Sequence, residues 1–261
     1  MKTIILIHGA WMTPASWAPW KAFFEAKGYN VIAPSWPYQD RPVKDLQASS
    51  VPELAAVGVP EIVAHYEAIV RAQAEPPILI GHSFGGLFVQ MLLDRGLGVA
   101  GVAIDPAPAK GVFPSVNALK AAFPVVSTWN AQNKVITMPF ADFAWGWVHN
   151  LPEAEQRRIY EEFCVPTPGK PYMQGAVAPF TSTMEVNFGN PKRPPLLLVA
   201  GEEDRTVTPD MVRATHKLQS RSPSVTKLIS MPGRTHWIVG QDGWEEVATM
   251  ALDWLREIGV A

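Results

Sequence analysis

Short runs of apolar, often β-branched residues recur along the chain and alternate with segments of helical spacing. The runs are apolar nearly throughout, which is typical of parallel strands covered on both faces. Six runs fit this description: Thr3–Ile7, Asn30–Pro34, Pro77–Gly81, Val99–Asp105, Leu196–Gly201 and Val225–Met231. Their alternation with helical segments predicts βαβ units, and therefore an α/β fold with a mainly parallel sheet and helices on both faces.

The helical segments are marked by apolar residues three or four positions apart and by capping residues. Thr-Pro pairs at 13–14 and 208–209 predict the starts of two helices, which end near Gly28 and Gln219. Further helices are predicted at Pro60–Ala74, Leu87–Arg95 and Gly243–Ile258.

The alternation is interrupted once, between the fourth and fifth predicted strands, where no further strand is expected. Helical pieces at Asp142–Asn150 and Pro152–Phe163 occur there among proline-rich turns and several tryptophans and phenylalanines. An aromatic-rich helical insertion late in a sheet predicts a cap, or lid, over residues 109–190. The core domain would then comprise residues 1–108 and 191–261. An ordinary extra layer packed on the core is the alternative interpretation.

Composition and charge narrow the class of protein. The net charge is −2, and Lys and Arg are scattered singly, so no nucleic-acid surface is expected. The single cysteine, Cys164, excludes a disulfide framework and a cysteine-based metal cluster. It is compatible with a reducing compartment, and we expect a cytoplasmic location. No apolar run reaches the roughly 18 residues of a membrane span.

The strongest local motif lies between a predicted strand and a predicted helix. Residues Gly81–Gly86 read G-H-S-F-G-G and match the pattern G-x-S-x-G. In a strand–turn–helix context this pattern forms a nucleophile elbow, a sharp turn that needs glycine at its flanks and exposes a serine hydroxyl. The helix N-terminus also favours developing negative charge. We therefore predict Ser83 as a nucleophile, with a structural turn serine as the alternative.

A serine nucleophile requires a base, and histidine is the usual one. His236 follows the last predicted strand, and reacting groups collect in loops at the carboxyl ends of strands in open α/β sheets. We therefore predict His236 as the base. We expect His8 and His82 to be structural, His65 and His216 to face solvent, and His149 to lie in the cap.

The base in turn requires a carboxylate that fixes its tautomer. Asp204 follows the predicted strand Leu196–Gly201, and the order Ser83, Asp204, His236 is that of α/β-hydrolase triads. We predict Asp204 as this acid. The competing candidates are Glu202, Glu203 and Asp105.

The oxyanion of an acyl transfer is stabilised by N–H donors beside the serine. One donor is the N–H of the residue after the nucleophile, here Phe84. The second is expected from the loop after Thr3–Ile7, which reads H-G-A-W at positions 8–11. Because Gly9 lets this loop turn back toward the elbow, we predict the N–H of Ala10 as the second donor.

Large aromatic side chains near these motifs and in the predicted cap favour an apolar small-molecule substrate. We expect the following residues to line the substrate site: Trp11, Phe140, Trp145 and Trp237. Packing in the core is the alternative for each of them.

Four motifs, at positions 8–11, 81–86, 201–209 and 233–237, occur in one order along the chain. Together they resemble the α/β-hydrolase family, and the opening motif is similar to the branch that contains plant methyl esterases, hydroxynitrile lyases and small bacterial esterases. The resemblance implies a parallel sheet with an inserted lid and chemistry that needs neither cofactor nor metal.

The function expected from these residues is hydrolysis of a carboxylic ester or lactone through an acyl-enzyme intermediate. C–C bond hydrolysis, perhydrolase and lyase chemistry use the same triad and remain alternatives. A hydroxynitrile lyase of this branch would place a lysine near the base, whereas His236 is flanked by Arg234 and Trp237. A non-catalytic small-molecule receptor on the same fold is the third alternative. The sequence indicates no oligomeric state.

Overall fold

The computed structural model describes all residues from 1 to 261 and contains one six-stranded sheet in which every pairing is parallel. Its strands are β1 (Thr3–Ile7), β2 (Asn30–Ile32), β3 (Ile78–His82), β4 (Ala100–Ile104), β7 (Leu196–Gly201) and β8 (Thr226–Met231), in the spatial order β2-β1-β3-β4-β7-β8. Each predicted strand is present, with ends that differ by no more than two residues, so the predicted α/β fold is confirmed.

Ten helices accompany the strands, and the sheet and helices share one continuous hydrophobic core. The helices are α1 (Ala18–Glu25), α2 (Val43–Ala48), α3 (Val59–Arg71), α4 (Phe84–Asp94), α5 (Val116–Val126), α6 (Phe140–Trp147), α7 (Glu153–Phe163), α8 (Lys170–Ala176), α9 (Pro209–Gln219) and α10 (Trp244–Glu257). No helix is both long and apolar enough to cross a membrane.

The predicted helix after Thr13 is divided into two parts. A 3-10 turn spans Pro14–Trp17, and α1 begins at Ala18. The hydroxyl oxygen of Thr13 accepts a hydrogen bond from the N–H of Ala15 at 3.2 Å, which caps the turn as the Thr-Pro pair predicts.

The segment assigned to the cap contains α5 to α8, and it also contains strands that the sequence analysis did not expect. Val135–Ile136 (β5) pairs antiparallel with Thr167–Pro168 (β6). The expectation of no strand in this segment is therefore wrong. Two-residue strands, one of which contains proline, are too short to produce a periodic sequence signal.

The sheet reverses its strand order between β1 and β3, because β2 adjoins one edge of β1 and β3 adjoins the other. Such a reversal opens a crevice at the carboxyl ends of the strands, where ligands of open α/β sheets bind. The loop after β1 and the turn after β3 meet there. A Cβ added to Gly9 would lie 2.8 Å from the Cβ of Ser83.

Candidate active site

Ser83 occupies the turn between β3 and α4, where the backbone takes an unusual conformation. Its φ of 57° and ψ of −122° lie in a region that non-glycine residues rarely adopt. The N–H of Ser83 donates to the carbonyl of Ile104 at 3.0 Å, and its carbonyl accepts from the N–H groups of Gly86 and Ala107 at 2.9 Å each. These bonds to β4, to α4 and to the segment after β4 hold the strained residue in place.

The glycines around Ser83 are required by close backbone contacts. A Cβ on Gly81 would lie 2.2 Å from the carbonyl oxygen of Gly85, and a Cβ on Gly85 would lie 2.0 Å from that of Ile7. A Cβ on Gly86 would lie 2.9 Å from Pro106. The spacing of the motif therefore follows from the tight packing of β3, α4 and β1.

The predicted base and acid are in direct contact. The Nδ1 of His236 lies 2.5 Å from the Oδ2 of Asp204, and neither side chain is exposed. The other carboxylate oxygen of Asp204 accepts hydrogen bonds from the N–H groups of Thr206 at 2.6 Å and Val207 at 2.9 Å. The N–H groups of Thr206 and Val207 hold the carboxylate in place, so that it can accept the Nδ1–H of His236. In that tautomer the Nε2 of His236 is free to accept a proton.

The Nε2 of His236 is buried and has no hydrogen-bond partner in the structure. The Ser83 hydroxyl therefore forms no hydrogen bond with His236. The residue before Ser83, His82, nevertheless packs on His236, with ring centroids 4.6 Å apart. Catalytic hydrogen bonds are often long or misaligned before substrate binds.

The ring of Trp147 meets His236 edge-on at 4.4 Å and shields it from water. No sequence motif predicts Trp147 at this position.

Asp105, one of the competing acids, is also buried at this site. Its Oδ1 accepts a hydrogen bond from the N–H of Gly201 at 2.7 Å, whereas its Oδ2 has no partner. His82, Asp105 and His236 bring possible metal-ligand atoms within 4.8 Å of one another. Because His236 already binds Asp204 through Nδ1, we interpret this group as part of the acid–base cluster.

Burial sets the protonation of the cluster. It raises the pKa of Asp105 well above its usual value, and the charge of Asp204 raises it further. Burial also raises the pKa of Asp204, and the N–H groups of Val207 and Thr206 oppose that shift. Two interacting carboxyl groups do not both ionise readily. More N–H groups donate to Asp204 than to Asp105, and these bonds stabilise the ionised carboxylate. Asp204 therefore ionises first, and Asp105 keeps its proton.

Burial lowers the pKa of His236 to about 3. The imidazole is therefore neutral near pH 7 and can accept a proton. The pKa of His82 is lowered as well, first by burial and then by His236.

The two predicted oxyanion donors belong to Phe84, which follows Ser83, and to Ala10, in the loop after β1. The N–H of Phe84 is at the first position of α4, where no preceding helical turn provides an acceptor. The N–H of Ala10 donates to no protein group, although Ala10 is only 2% exposed. Both N–H groups are therefore available to a ligand oxygen near Ser83.

A cavity of about 490 Å³ opens above Ser83 and Phe84. Most of its lining comes from the segment after β4 and from the predicted cap: Ala107–Pro114, Ala118, Leu119, Ala121, Ala122, Val126, Tyr172, Gly175, Ala176, Ala178, Pro179 and Met184. Thr206, Val207 and Met211 complete the wall. The lining is mainly apolar, and Lys110 is its single charged residue.

The four aromatic residues predicted to line the substrate site are not among these lining residues. Trp11 donates its indole N–H at 2.7 Å to the hydroxyl of Tyr172, which is itself a lining residue. The other three contact residues elsewhere: Phe140 packs on Tyr160, Trp145 lies against Lys120 and Arg205, and Trp237 packs on Phe163. Small side chains of α5 instead leave the space that forms the cavity. For the lining residues 107–114, the available sequence signal was their position shortly after the end of β4.

Comparison with known proteins identifies the family. A model described as "Alpha/beta hydrolase family" matches residues 4–250. The chain belongs to this alpha/beta hydrolase family. This match confirms the family and the fold that the sequence motifs predict. No curated protein sequence matches the chain.

Several solved structures share the fold of this alpha/beta hydrolase. A monoacylglycerol lipase of Paleococcus ferrophilus is 22% identical, with a TM-score of 0.68 over 97% of this chain and 93% of that one. An extracellular alpha/beta-hydrolase of a Paenibacillus species is 20% identical, with a TM-score of 0.69 over 97% and 98%. A carboxylesterase of Nitrososphaera gargenis is 15% identical, with a TM-score of 0.71 over 99% and 91%. At these identities the likeness concerns the fold.

Proposed function

We propose that the chain is a serine esterase that hydrolyses a carboxylic ester or lactone of an apolar small molecule. The observation that carries the proposal is the placement of Ser83, in a strained turn on the floor of an apolar cavity, directly after His82, whose ring packs on His236 of the buried His236–Asp204 pair. The lipase and carboxylesterase among the structures of similar fold are consistent with this chemistry.

In the proposed first half-reaction, the hydroxyl oxygen of Ser83 attacks the ester carbonyl while the Nε2 of His236 takes the hydroxyl proton. Asp204 stabilises the resulting imidazolium through the 2.5 Å contact with Nδ1. The N–H groups of Ala10 and Phe84 stabilise the oxyanion. The C–O bond to the alcohol then breaks, and His236 gives its proton to the departing oxygen.

In the second half-reaction, water attacks the acyl-enzyme and His236 takes one of its protons. Collapse of the second tetrahedral intermediate releases the carboxylic acid, and His236 returns the proton to Ser83. The chain's own residues carry out every proton transfer. In this proposal residues 109–190 act as the cap, since they supply most of the cavity wall.

The test is turnover of p-nitrophenyl acetate, butyrate and octanoate, with labelling by a fluorophosphonate. We expect wild type to show a burst and steady turnover, and we expect the label on Ser83. Ser83→Ala should lose both. Ser49→Ala, which changes an exposed serine, is the matched control and should behave as wild type.

A wild-type protein that neither turns over any ester nor reacts with the fluorophosphonate would contradict the proposal. Saturable binding of esters without turnover would instead support a receptor. Turnover that survives Ser83→Ala would place the nucleophile elsewhere.

A further inference from the structure

Tyr172 belongs to α8 in the predicted cap, yet it lines the same cavity as Ser83 and Phe84. Its ring meets the ring of Phe84 edge-on, with centroids 5.1 Å apart. The ring of a tyrosine from the cap segment thus packs on the side chain of the residue that follows the proposed nucleophile.

The oxygen of the Tyr172 hydroxyl is fixed by Trp11. The indole Nε1–H can only donate, and it lies 2.7 Å from that oxygen, so the tyrosine oxygen is the acceptor. Trp11 is 1% exposed, and its backbone φ of 67° is uncommon for a residue other than glycine. The position of the hydroxyl is therefore tied to the loop that carries Ala10.

The proton of the same hydroxyl has no acceptor in the protein, because Tyr172 donates to no side chain or carbonyl group. Burial raises the pKa of Tyr172, so the hydroxyl stays protonated throughout the working pH range of an esterase. With its oxygen held by Trp11, the O–H group is free to donate into the cavity.

We propose that Tyr172 is a further catalytic residue, whose O–H donates a hydrogen bond to the oxyanion of the bound ester alongside the N–H groups of Ala10 and Phe84. This inference rests on the proposed esterase function. Its geometric basis is that Tyr172 contacts both Trp11, which follows Ala10, and Phe84 itself. The cap segment would then contribute to the chemistry as well as to the walls of the cavity.

The direct test is Tyr172→Phe, which removes the hydroxyl and keeps the ring against Phe84. Loss of one oxyanion donor lowers kcat by about 10²-fold, while KM changes little because the interaction forms mainly in the transition state. Acylation and deacylation should both slow, since an oxyanion forms in each. A boronic acid that mimics the tetrahedral intermediate should bind more weakly by a similar factor.

Tyr160→Phe is the matched control. Tyr160 also lies in the cap segment and donates its hydroxyl to the carbonyl of Met138 at 2.7 Å, but it does not line the cavity. It should keep the wild-type kcat. Trp11→Phe provides a second variant: it leaves the Tyr172 hydroxyl present but unfixed, and its kcat should fall less than that of Tyr172→Phe.

A folded Tyr172→Phe protein with the kcat and boronate affinity of Tyr160→Phe would overturn the inference and leave the esterase proposal intact. If Tyr172→Phe does not fold, an unchanged kcat in Trp11→Phe would overturn it instead. Absence of turnover and of fluorophosphonate labelling in wild type would contradict the esterase function itself, so the two failures are distinguishable.

Discussion

His236 and Asp204 are joined by a contact of 2.5 Å between Nδ1 and Oδ2, and both side chains are fully buried. Asp105 lies in the same cluster and bonds to Gly201 rather than to His236. The structure thus contains two carboxyl groups within reach of one imidazole, of which only Asp204 contacts Nδ1 directly.

We expect Asp204→Asn to lower kcat by about 10⁴-fold, because an amide favours the wrong imidazole tautomer. Asp105→Asn should keep most of the activity, since an amide resembles the protonated carboxyl that burial favours at this position. Steady-state kinetics on a p-nitrophenyl ester provide the measurement. The opposite result, an active Asp204→Asn and an inactive Asp105→Asn, would make Asp105 the catalytic acid.

Gly85→Ala tests the elbow. The added Cβ would meet the carbonyl oxygen of Ile7 at 2.0 Å, so the turn must move. We expect a loss of about 1–3 kcal/mol in the free energy of unfolding, together with loss of labelling at Ser83. Gly189→Ala is the control, because the nearest atom to its Cβ would be 3.6 Å away. Urea unfolding and fluorophosphonate labelling measure the two effects, and normal labelling of Gly85→Ala would show that the turn tolerates a side chain.

His8 provides a prediction about pH. The N–H of Trp36 donates to its Nε2 at 3.2 Å, and burial lowers the pKa of His8 to about 4. Between pH 6.5 and 4 the unfolded chain therefore binds more protons at this site than the folded chain, so stability falls as the pH is lowered. A shift of this size corresponds to about 3 kcal/mol.

The measurement for His8 is urea unfolding at pH 7 and pH 4.5. His8→Gln should be less stable than wild type at pH 7 but should lose less stability on acidification. His216→Gln, at a half-buried helical position, is the control for the chemical change from histidine to glutamine. Equal pH dependence in wild type and His8→Gln would contradict the assigned role of burial.

Ala122→Trp tests whether the cavity holds the acyl chain. Ala122 faces the cavity from α5, and a large side chain there would occupy part of the 490 Å³. We expect turnover of the octanoate ester to fall much more than turnover of the acetate ester. Asn117→Trp places the same side chain at an exposed position of α5 outside the cavity lining and should leave the chain-length preference unchanged. A parallel loss for both esters in Ala122→Trp would indicate that the acyl chain binds elsewhere.

The strands could be predicted because their sequences are apolar on both faces. Ile78–His82 and Leu196–Gly201 are completely buried, so every position carries the signal. Of the proposed catalytic residues, Ser83 and Asp204 follow strands of this kind. His236 follows β8, which is only partly buried and whose sequence carries a weaker signal. The short pair β5–β6 could not be predicted, because two residues define no period.

The cavity wall could not be predicted from residue type. Large aromatics were the expected lining, but Trp145 and Phe140 pack against charged side chains from Lys120 and Arg157. The actual lining includes Ala118 and Ala121, whose small size leaves open volume. Sequence patterns report which residues are buried, whereas empty space depends on how distant helices are arranged.

The proposed reactive groups and the cavity wall belong to different stretches of the chain. Ser83, Asp204 and His236 lie at the ends of sheet strands, whereas α5 and α8 supply much of the wall from residues 109–190. Substitutions at the cavity-lining positions of α5 can change which molecule fits and leave the proton-transfer geometry in place. Evolution and protein engineering can therefore change the molecules that this scaffold accepts independently of the bond that it breaks.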